Sequence, residues 1–136
     1  MAGFMCDIVT PEALLASTEV EMAVVPGVEG EMGFLRGHAP LVSVLADGMA
    51  RLTLADTKEV ARYVLQGGYV EVTGKKVIIL ADRALPASEI NAAEVREQLA
   101  ALEAKAAEQS EEAVAKTTLA ADIDWCHVQL HAVEAA

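Results

Sequence analysis

Aromatic residues and cysteines are scarce in this sequence. Aromatic side chains make up 4% of its 136 residues, and the two cysteines, Cys6 and Cys126, lie near opposite ends of the chain. The first residues, Met1 to Phe4, show neither the basic nor the apolar region of a secretion signal. The sequence therefore predicts a cytosolic protein with reduced thiols and no disulfide.

Long apolar runs and basic residues are also missing. No stretch approaches the roughly 18 apolar residues that a membrane-spanning helix requires. Ten Lys and Arg residues stand against 21 Asp and Glu residues, which gives a net charge of −11. Because this charge repels nucleic acid and anionic membrane surfaces, direct binding of DNA, RNA or lipid is not expected. A basic partner is favoured instead.

Glycine and proline are concentrated in one stretch. Residues 25–41 read Val-Pro-Gly-Val-Glu-Gly-Glu-Met-Gly-Phe-Leu-Arg-Gly-His-Ala-Pro-Leu and hold four glycines and two prolines. Such a backbone turns sharply several times. A phosphate-binding loop would need Gly-Lys-Ser/Thr, or a helix after its glycines, whereas a β-branched run follows here. We interpret the stretch as a docking loop rather than a phosphate site.

Residues 4–80 alternate between apolar and polar side chains, with turn residues every few positions, which is typical of a compact all-β unit. The residues expected on the buried face are Phe4, Cys6 and Ile8 in the first strand and Val20, Met22 and Val24 in the second. One face of each strand is thus expected to be buried and the other exposed to solvent.

Three glycine-containing turns punctuate the rest of this region. Asp47-Gly48 is the strongest hairpin signal, and it predicts pairing of residues 42–45 with residues 49–54. Gln66-Gly67-Gly68 and Thr73-Gly74-Lys75 separate the later strands. The prediction is a flattened β-barrel or sandwich of about ten strands, over residues 1–86.

The remaining residues, 87–136, predict an antiparallel two-helix hairpin, because they are rich in Ala, Glu, Gln and Leu and contain no glycine or proline. Asn91 with Glu94 can cap the first helix, with Ser88 as a competing cap, and Ser110 can cap the second. The residues expected to pack the two helices together are Val95, Leu99, Leu102, Ala121, Trp125 and Val128.

The glycine spacing Pro-Gly-x-x-Gly-x-x-Gly, followed by His-Ala-Pro-Leu, resembles the signature of a known family. It is similar to that of the epsilon subunit of bacterial proton-translocating rotary ATP synthases, the counterpart of mitochondrial delta. The order of a β-sandwich followed by a helical hairpin resembles the same family. The resemblance implies a non-catalytic central-stalk subunit that couples the membrane ring to gamma, peripheral on the cytoplasmic face of the bacterial inner membrane.

The resemblance also implies contact residues. The loop that would face the ring comprises Glu29, Gly30, Glu31, Met32 and Gly33, and the residues that would face gamma are His38, Ala39, Pro40 and Leu41. Glu31 is the strongest candidate for a contact with the basic loops of the ring. Both Glu29 and Glu31 are expected to be solvated, with pKa values near the ordinary glutamate value.

The resemblance carries two further expectations for the helices. Some epsilon subunits bind ATP through Ile-Asp-x-x-Arg-Ala, but here Asn91 replaces the aspartate and Glu94 replaces the arginine, so neither ATP nor another cofactor is expected. In the family the hairpin often inhibits hydrolysis through basic residues that meet the beta subunit. Residues 90–136 hold nine acids against Arg96, Lys105 and Lys116, which predicts weak inhibition.

The alternatives to a stalk subunit are a small hydrolase, a zinc site and a free-standing adaptor. A small hydrolase would use His38 with Glu29 or Glu31, but the sequence shows no activated partner for the histidine. A zinc site would use Asp124, Cys126, His127 and His131, yet adjacent residues on a helix point about 100° apart, so a plain helix surface is favoured. A free-standing β-sandwich adaptor is the remaining alternative, and copurifying partners would distinguish it.

Overall fold

The computed structural model describes residues 3–135. The chain divides into two compact units, Met1–Ser88 and Glu89–Ala136. The strands of the first unit are β1 (Phe4–Val9), β2 (Leu14–Gly27), β3 (Gly30–Phe34), β4 (Leu41–Val44), β5 (Gly48–Leu54), β6 (Val60–Gln66), β7 (Tyr69–Val72), β8 (Lys76–Leu80) and β9 (Arg83–Pro86). A short 3₁₀ turn, Ala87–Glu89, follows β9.

All nine strands belong to one sheet. Eight of them follow the order β4-β7-β8-β1-β2-β5-β6-β9, and β3 pairs with β2 beside this path. The pairing of β1 with β8 is parallel, and the other strand pairs are antiparallel. The predicted β-rich unit is confirmed, with nine strands rather than about ten in the described part of the chain.

One apolar core joins strands from both ends of this order. Its largest buried side chains are Phe34, Ile8, Leu52, Leu65, Ile79, Val20, Val25, Val70 and Val77. The predicted inward residues of β1 are confirmed, because Cys6 and Ile8 are fully buried and Phe4 is 8% exposed. Each buried Val, Leu, Ile or Phe side chain contributes about 1.5–3 kcal/mol of transfer free energy. This shared core makes the open sheet fold over itself into two layers.

The predicted burial of β2 is wrong beyond Val20. Met22 is 39% exposed, whereas Ala23 and Val25 are fully buried. The register against β5 shifts at this point, since Val20 is opposite Leu54 but Met22 is opposite the next residue, Thr53. The extra residue in β2 is a β-bulge at Glu21, and a bulge reverses which side chains point inward.

The predicted Asp47-Gly48 hairpin is also wrong. Strand β4 pairs with β7, whereas β5 pairs with β2 and β6. Gly48 lacks the positive φ that a two-residue hairpin of the Asn-Gly or Asp-Gly type needs. Buried Leu45 forms a bridge to Gly27, so burial of this side chain directs the chain away from a local hairpin.

The turn at Thr73-Gly74-Lys75 does join two paired strands, β7 and β8. The amide of Thr73 donates to the carbonyl of Lys76 at 2.9 Å. The Thr73 hydroxyl oxygen accepts from the amides of Lys75 at 3.2 Å and Lys76 at 3.0 Å. This turn is stabilised by local hydrogen bonds, which is why the local sequence predicted it.

On the solvent-facing side of the sheet, the Asp7 side chain connects β1 to its two neighbouring strands, β2 and β8. Its carboxylate accepts from the Ser17 hydroxyl of β2 at 2.8 Å and from the Lys76 ammonium of β8 at 3.0 Å. The hydrogen bond from Ser17, followed by that from Lys76, lowers the pKa of Asp7 below its ordinary value. The ionised form of Asp7 therefore stabilises the folded state.

We expect Asp7→Asn to destabilise the protein by about 1 kcal/mol at pH 7. The folded pKa lies below the unfolded value of about 3.9, so the stabilisation is complete above that value. It disappears as the pH falls through the folded pKa. Chemical denaturation of both proteins at pH 7 and at progressively lower pH should show the difference shrinking. A difference that is absent at pH 7, or that grows in acid, would contradict this assignment.

The second unit contains three helices, α1 (Ala92–Ala107), α2 (Glu111–Ala115) and α3 (Leu119–Ala135). The Asn91 side chain accepts from the amide of Glu94 at 3.2 Å, and the Ser110 hydroxyl accepts from the amide of Ala113 at 3.1 Å. Asn91 and Ser110 are thus confirmed as helix caps. The competing cap, Ser88, lies in the preceding 3₁₀ turn.

The second predicted helix is interrupted. The Thr117 hydroxyl donates to the carbonyl of Val114 at 2.9 Å and accepts from the amide of Leu119 at 3.1 Å. Threonine side chains that bond to nearby backbone groups compete with the helical pattern. As a result α2 ends at Ala115, and a new helix begins at Leu119.

Helices α1 and α3 pack against each other. Of the predicted packing residues, Val95 is buried, while Leu99, Leu102, Trp125 and Val128 are half-buried. The prediction is wrong for Ala121, which is exposed. The buried residues of α3 are Leu119, Cys126, Gln129 and Ala132. Positions two apart on a helix point about 200° apart, so burial of Leu119 turns Ala121 outward.

We expect amide hydrogens of residues 90–135 to exchange well before those of the core strands in the isolated protein. Helix α1 buries one side chain, that of Val95, and α2 buries none. The buried residues of α3 include the small Ala132 and the polar Gln129, whereas the strands share one large apolar core. Exchange measured by mass spectrometry at peptide resolution tests this order. Equal protection of α1 and β1 would contradict it.

Candidate docking surface

The predicted ring-contacting loop is a tight hairpin between β2 and β3. Gly27 is opposite Gly30, so the two-residue tip consists of Val28 and Glu29, and both of these residues are exposed. A Cβ atom on Gly27 would lie 2.6 Å from the carbonyl oxygen of Gly30, which itself has a φ of 128°. Only glycine fits both positions without strain. The loop therefore presents a narrow, firmly shaped tip.

The two carboxylates of this loop have different surroundings. Glu31 forms two hydrogen bonds with the Arg51 guanidinium, at 2.9 Å and 3.3 Å. These bonds, together with the charge of Arg51, lower the pKa of Glu31. The expectation of an ordinary pKa is therefore wrong for Glu31, because β5 brings an arginine to the loop.

The segment expected to contact gamma, residues 38–41, lies between the end of β3 and the start of β4. The amide of His38 donates to the carbonyl of Leu35 at 3.2 Å, and its ring Nδ1 donates to the carbonyl of Ala39 at 2.8 Å. The ring of His38 packs edge-on against Phe34, with 4.9 Å between centroids. Ala39 and Pro40 are exposed, and Leu41 is half-buried at the start of β4. Buried Phe34 thus connects the loop to the segment 38–41.

An exposed apolar row was not anticipated. Val44 of β4 is opposite Tyr69 of β7, which is opposite Leu80 of β8, and Leu80 is opposite Val9 of β1. Val44 is 46%, Tyr69 54% and Leu80 40% exposed. The sequence signal for this row is that residues 41–45 have apolar side chains on both faces. The sequence does not show which strands lie beside β4.

The alternative zinc and hydrolase sites involve residues within the described range, 3–135. No group of three or more His, Cys, Asp or Glu side chains in this range could hold a metal ion. Cys126 is buried, whereas His127, His131 and Asp124 are exposed. The contacts of His38 are to backbone carbonyls and to an aromatic ring rather than to a carboxylate.

The thiol of Cys6 is fully buried beside Asp7. Burial, followed by the nearby charge of Asp7, raises the pKa of this thiol to about 12. A thiol reacts as its thiolate, so a thiol that stays protonated is a poor nucleophile.

No helix within the described range is both long and apolar enough to cross a bilayer.

Comparison with known proteins decides the family. Residues 3–87 match the family model described as the β-sandwich domain of the ATP synthase delta/epsilon chain. The chain belongs to the ATP synthase delta/epsilon family. The matched range covers all nine strands, the glycine-rich loop and His38.

Several epsilon chains are similar to this one over most of its length. The epsilon chain of Granulibacter bethesdensis is 41% identical over 104 residues, which cover 76% of each chain. Epsilon chain 1 of Nitrobacter hamburgensis is 40% identical over 108 residues, covering 79% of this chain and 78% of the relative. The epsilon chain of Rhodobacter capsulatus is 42% identical over 94 residues, covering 69% of this chain and 70% of the relative.

Two solved structures share the fold of this delta/epsilon family member. A chain in the Euglena gracilis mitochondrial ATP synthase, in a structure of OSCP, F1 and the c-ring, aligns with a TM-score of 0.70 and 24% identity. The alignment covers 99% of this chain and 81% of that one. A chain from the central stalk and c-ring of the Tetrahymena thermophila enzyme gives a TM-score of 0.53 at 18% identity, covering 62% and 67%.

Proposed function

We propose that this protein is a non-catalytic subunit of the central stalk of a proton-translocating ATP synthase. The observation that carries the proposal is the match of the whole β-unit, residues 3–87, to the delta/epsilon family. The protein rotates with gamma and the membrane ring and transmits torque between them. It forms no bonds in the reaction.

The docking surface divides between two partners in this proposal. The β2–β3 hairpin contacts the polar loops of the membrane ring through Glu29–Gly33. The segment His38–Leu41 contacts gamma. What supports this division is the exposure of Glu29 and of Ala39 and Pro40, on either side of the buried Phe34. A buried residue that connects the two contact segments suits a subunit that transmits force between the two partners.

The helical unit regulates the enzyme weakly in this proposal. After Lys116 the sequence has no Lys or Arg, and α3 carries Asp122, Asp124 and Glu134. An approach of α3 to acidic segments of the beta subunit would be repulsive. ATP is not bound, because Asn91 caps α1 and Glu94 places a carboxylate in its first turn. A carboxylate there repels a triphosphate.

The proposed location is the cytoplasmic face of the bacterial inner membrane, where the protein is held through the complex. The test is copurification from native membranes. An affinity-tagged copy, extracted in mild detergent, should copurify with gamma, the ring subunits and the catalytic subunits, identified by mass spectrometry. An untagged strain is the matched control. Purification of the tagged chain without these partners would favour a free-standing adaptor.

A further inference from the structure

An ion pair connects the ring-facing loop to a strand on the far side of β2. The pair joins Arg51 of β5 to Glu31 of β3, through two hydrogen bonds of 2.9 Å and 3.3 Å. Both strands pair with β2, where Arg51 is opposite Val24 and Glu31 is opposite Pro26. Residues two apart on a strand face the same side. The Arg51 side chain therefore crosses the solvent-facing side of β2 to reach the loop.

The surroundings of Arg51 explain why it turns towards the loop. On its other side Arg51 is directly opposite Arg62 of β6. Like charges in directly opposite positions repel each other. The planar fork of a guanidinium matches the two oxygens of a carboxylate, so the geometry with Glu31 is favourable in both distance and direction. Glu31 is thus paired through both carboxylate oxygens, while 57% of its side chain remains exposed.

Glu29 lies on the other side of the turn at Gly30 and is exposed. Within residues 3–135 it forms no ion pair, unlike Glu31, Glu21 and Asp7, which pair with Arg51, Lys58 and Lys76. Its carboxylate is available to a partner without the loss of an existing contact. A charge that is already paired would have to break its own salt bridge first.

We infer that Arg51 is a positioning residue of the docking loop, which holds Glu31 on the sheet and leaves Glu29 as the carboxylate that meets a basic side chain of the ring. This inference rests on the proposed function for its partner. The ion pair itself does not, so the two parts are tested separately. Glu31 is the stronger candidate from the sequence, but in this arrangement its pairing with Arg51 makes it shape the loop, and Glu29 provides the charge.

The first experiment uses the isolated protein. The carboxyl carbon of Glu31 is followed by NMR between pH 2 and 7 in the wild type, in Arg51→Gln and in the control Arg96→Gln, which removes an exposed arginine of α1. The pKa of Glu31 should be low in the wild type and in the control, and it should rise towards the ordinary value in Arg51→Gln. An unchanged titration in Arg51→Gln would overturn the positioning role.

The second experiment measures binding to ATP synthase from which this subunit has been removed, as a function of salt. Glu29→Gln should weaken binding about tenfold and flatten its salt dependence. A similar loss of affinity is expected for Glu31→Gln, Arg51→Gln and the double variant, because all three disrupt one shared ion pair. Their binding should keep the salt dependence of the wild type. Glu12→Gln, an exposed carboxylate outside the loop, is the matched control.

Two outcomes of the binding experiment would overturn the inference. One is that Glu31→Gln flattens the salt dependence while Glu29→Gln binds like the wild type. The other is a loss of affinity in the double variant of Glu31→Gln and Arg51→Gln that equals the sum of two large single losses. Failure of the wild type to bind would overturn the proposed function, and with it the role of Glu29. The titration of Glu31 would still decide the positioning role of Arg51.

Discussion

Gly68→Ala is expected to destabilise the β-unit by about 3 kcal/mol or more. Gly68 has a φ of 103°, which disfavours any residue with a Cβ atom. A Cβ here would also collide with the carbonyl oxygen of Leu80 and would lie 2.8 Å from the Cα of Ala81. These are backbone atoms, so no side chain can move aside. Thermal and urea denaturation, monitored by circular dichroism, measure the effect.

Gly74→Ala is the matched control for this change. Gly74 also lies in a turn of the same unit, but a Cβ there meets nothing within 4 Å, and its φ is not positive. Its stability should therefore stay within about 1 kcal/mol of the wild type. Equal losses for the two variants would mean that Gly68 does not approach the backbone of Leu80 and Ala81 as closely as described.

Phe34→Ala is expected to remove about 3–5 kcal/mol of stability. Phe34 is 1% exposed and lies in the apolar core, where its ring also supports the ring of His38. Loss of the ring leaves a cavity beneath the connection between the docking loop and the segment 38–41. Urea denaturation gives the stability, and the NMR signals of His38 report whether its ring has lost its packing.

The neighbouring residue provides the control for Phe34. Leu35 is 61% exposed, so Leu35→Ala should change stability by no more than about 0.5 kcal/mol. If Leu35→Ala costs as much as Phe34→Ala, the inward and outward positions at the end of β3 have been assigned wrongly.

Features that depend on local chemistry could be predicted from the sequence. The alternation of Phe4, Cys6 and Ile8, the turn after Thr73, and the caps at Asn91 and Ser110 all involve residues a few positions apart. The glycine-rich docking loop could also be located, because Gly27 and Gly30 are needed by the local backbone. None of these features required knowledge of distant strands.

Features that depend on distant pairing could not be predicted. The bulge at Glu21 follows from the register of β2 against β5, and the Asp47-Gly48 segment is redirected by burial of Leu45. The Arg51–Glu31 pair joins residues 20 positions apart in sequence. They meet only because β3 and β5 lie on opposite edges of β2. The exposed row at Tyr69 has the same origin, since it crosses several strands.

The two units of the chain carry different parts of the proposed function. The β-unit contains both proposed contact segments, and the chain divides at Ser88, close to the end of the family match at residue 87. We therefore expect residues 1–88 to bind gamma and the ring without the helices. A fragment that folds, as judged by circular dichroism, yet does not bind would show that the helices belong to the docking surface.

The most direct measurement of the proposed rotor role is ATP-driven proton pumping by ATP synthase depleted of this subunit and reconstituted in vesicles. Addition of the full chain should restore pumping coupled to hydrolysis, and residues 1–88 should restore it as well. Depleted ATP synthase that receives no added subunit serves as the inactive control. Pumping that stays uncoupled after addition of the folded full chain would contradict a role for this protein in joining gamma to the ring.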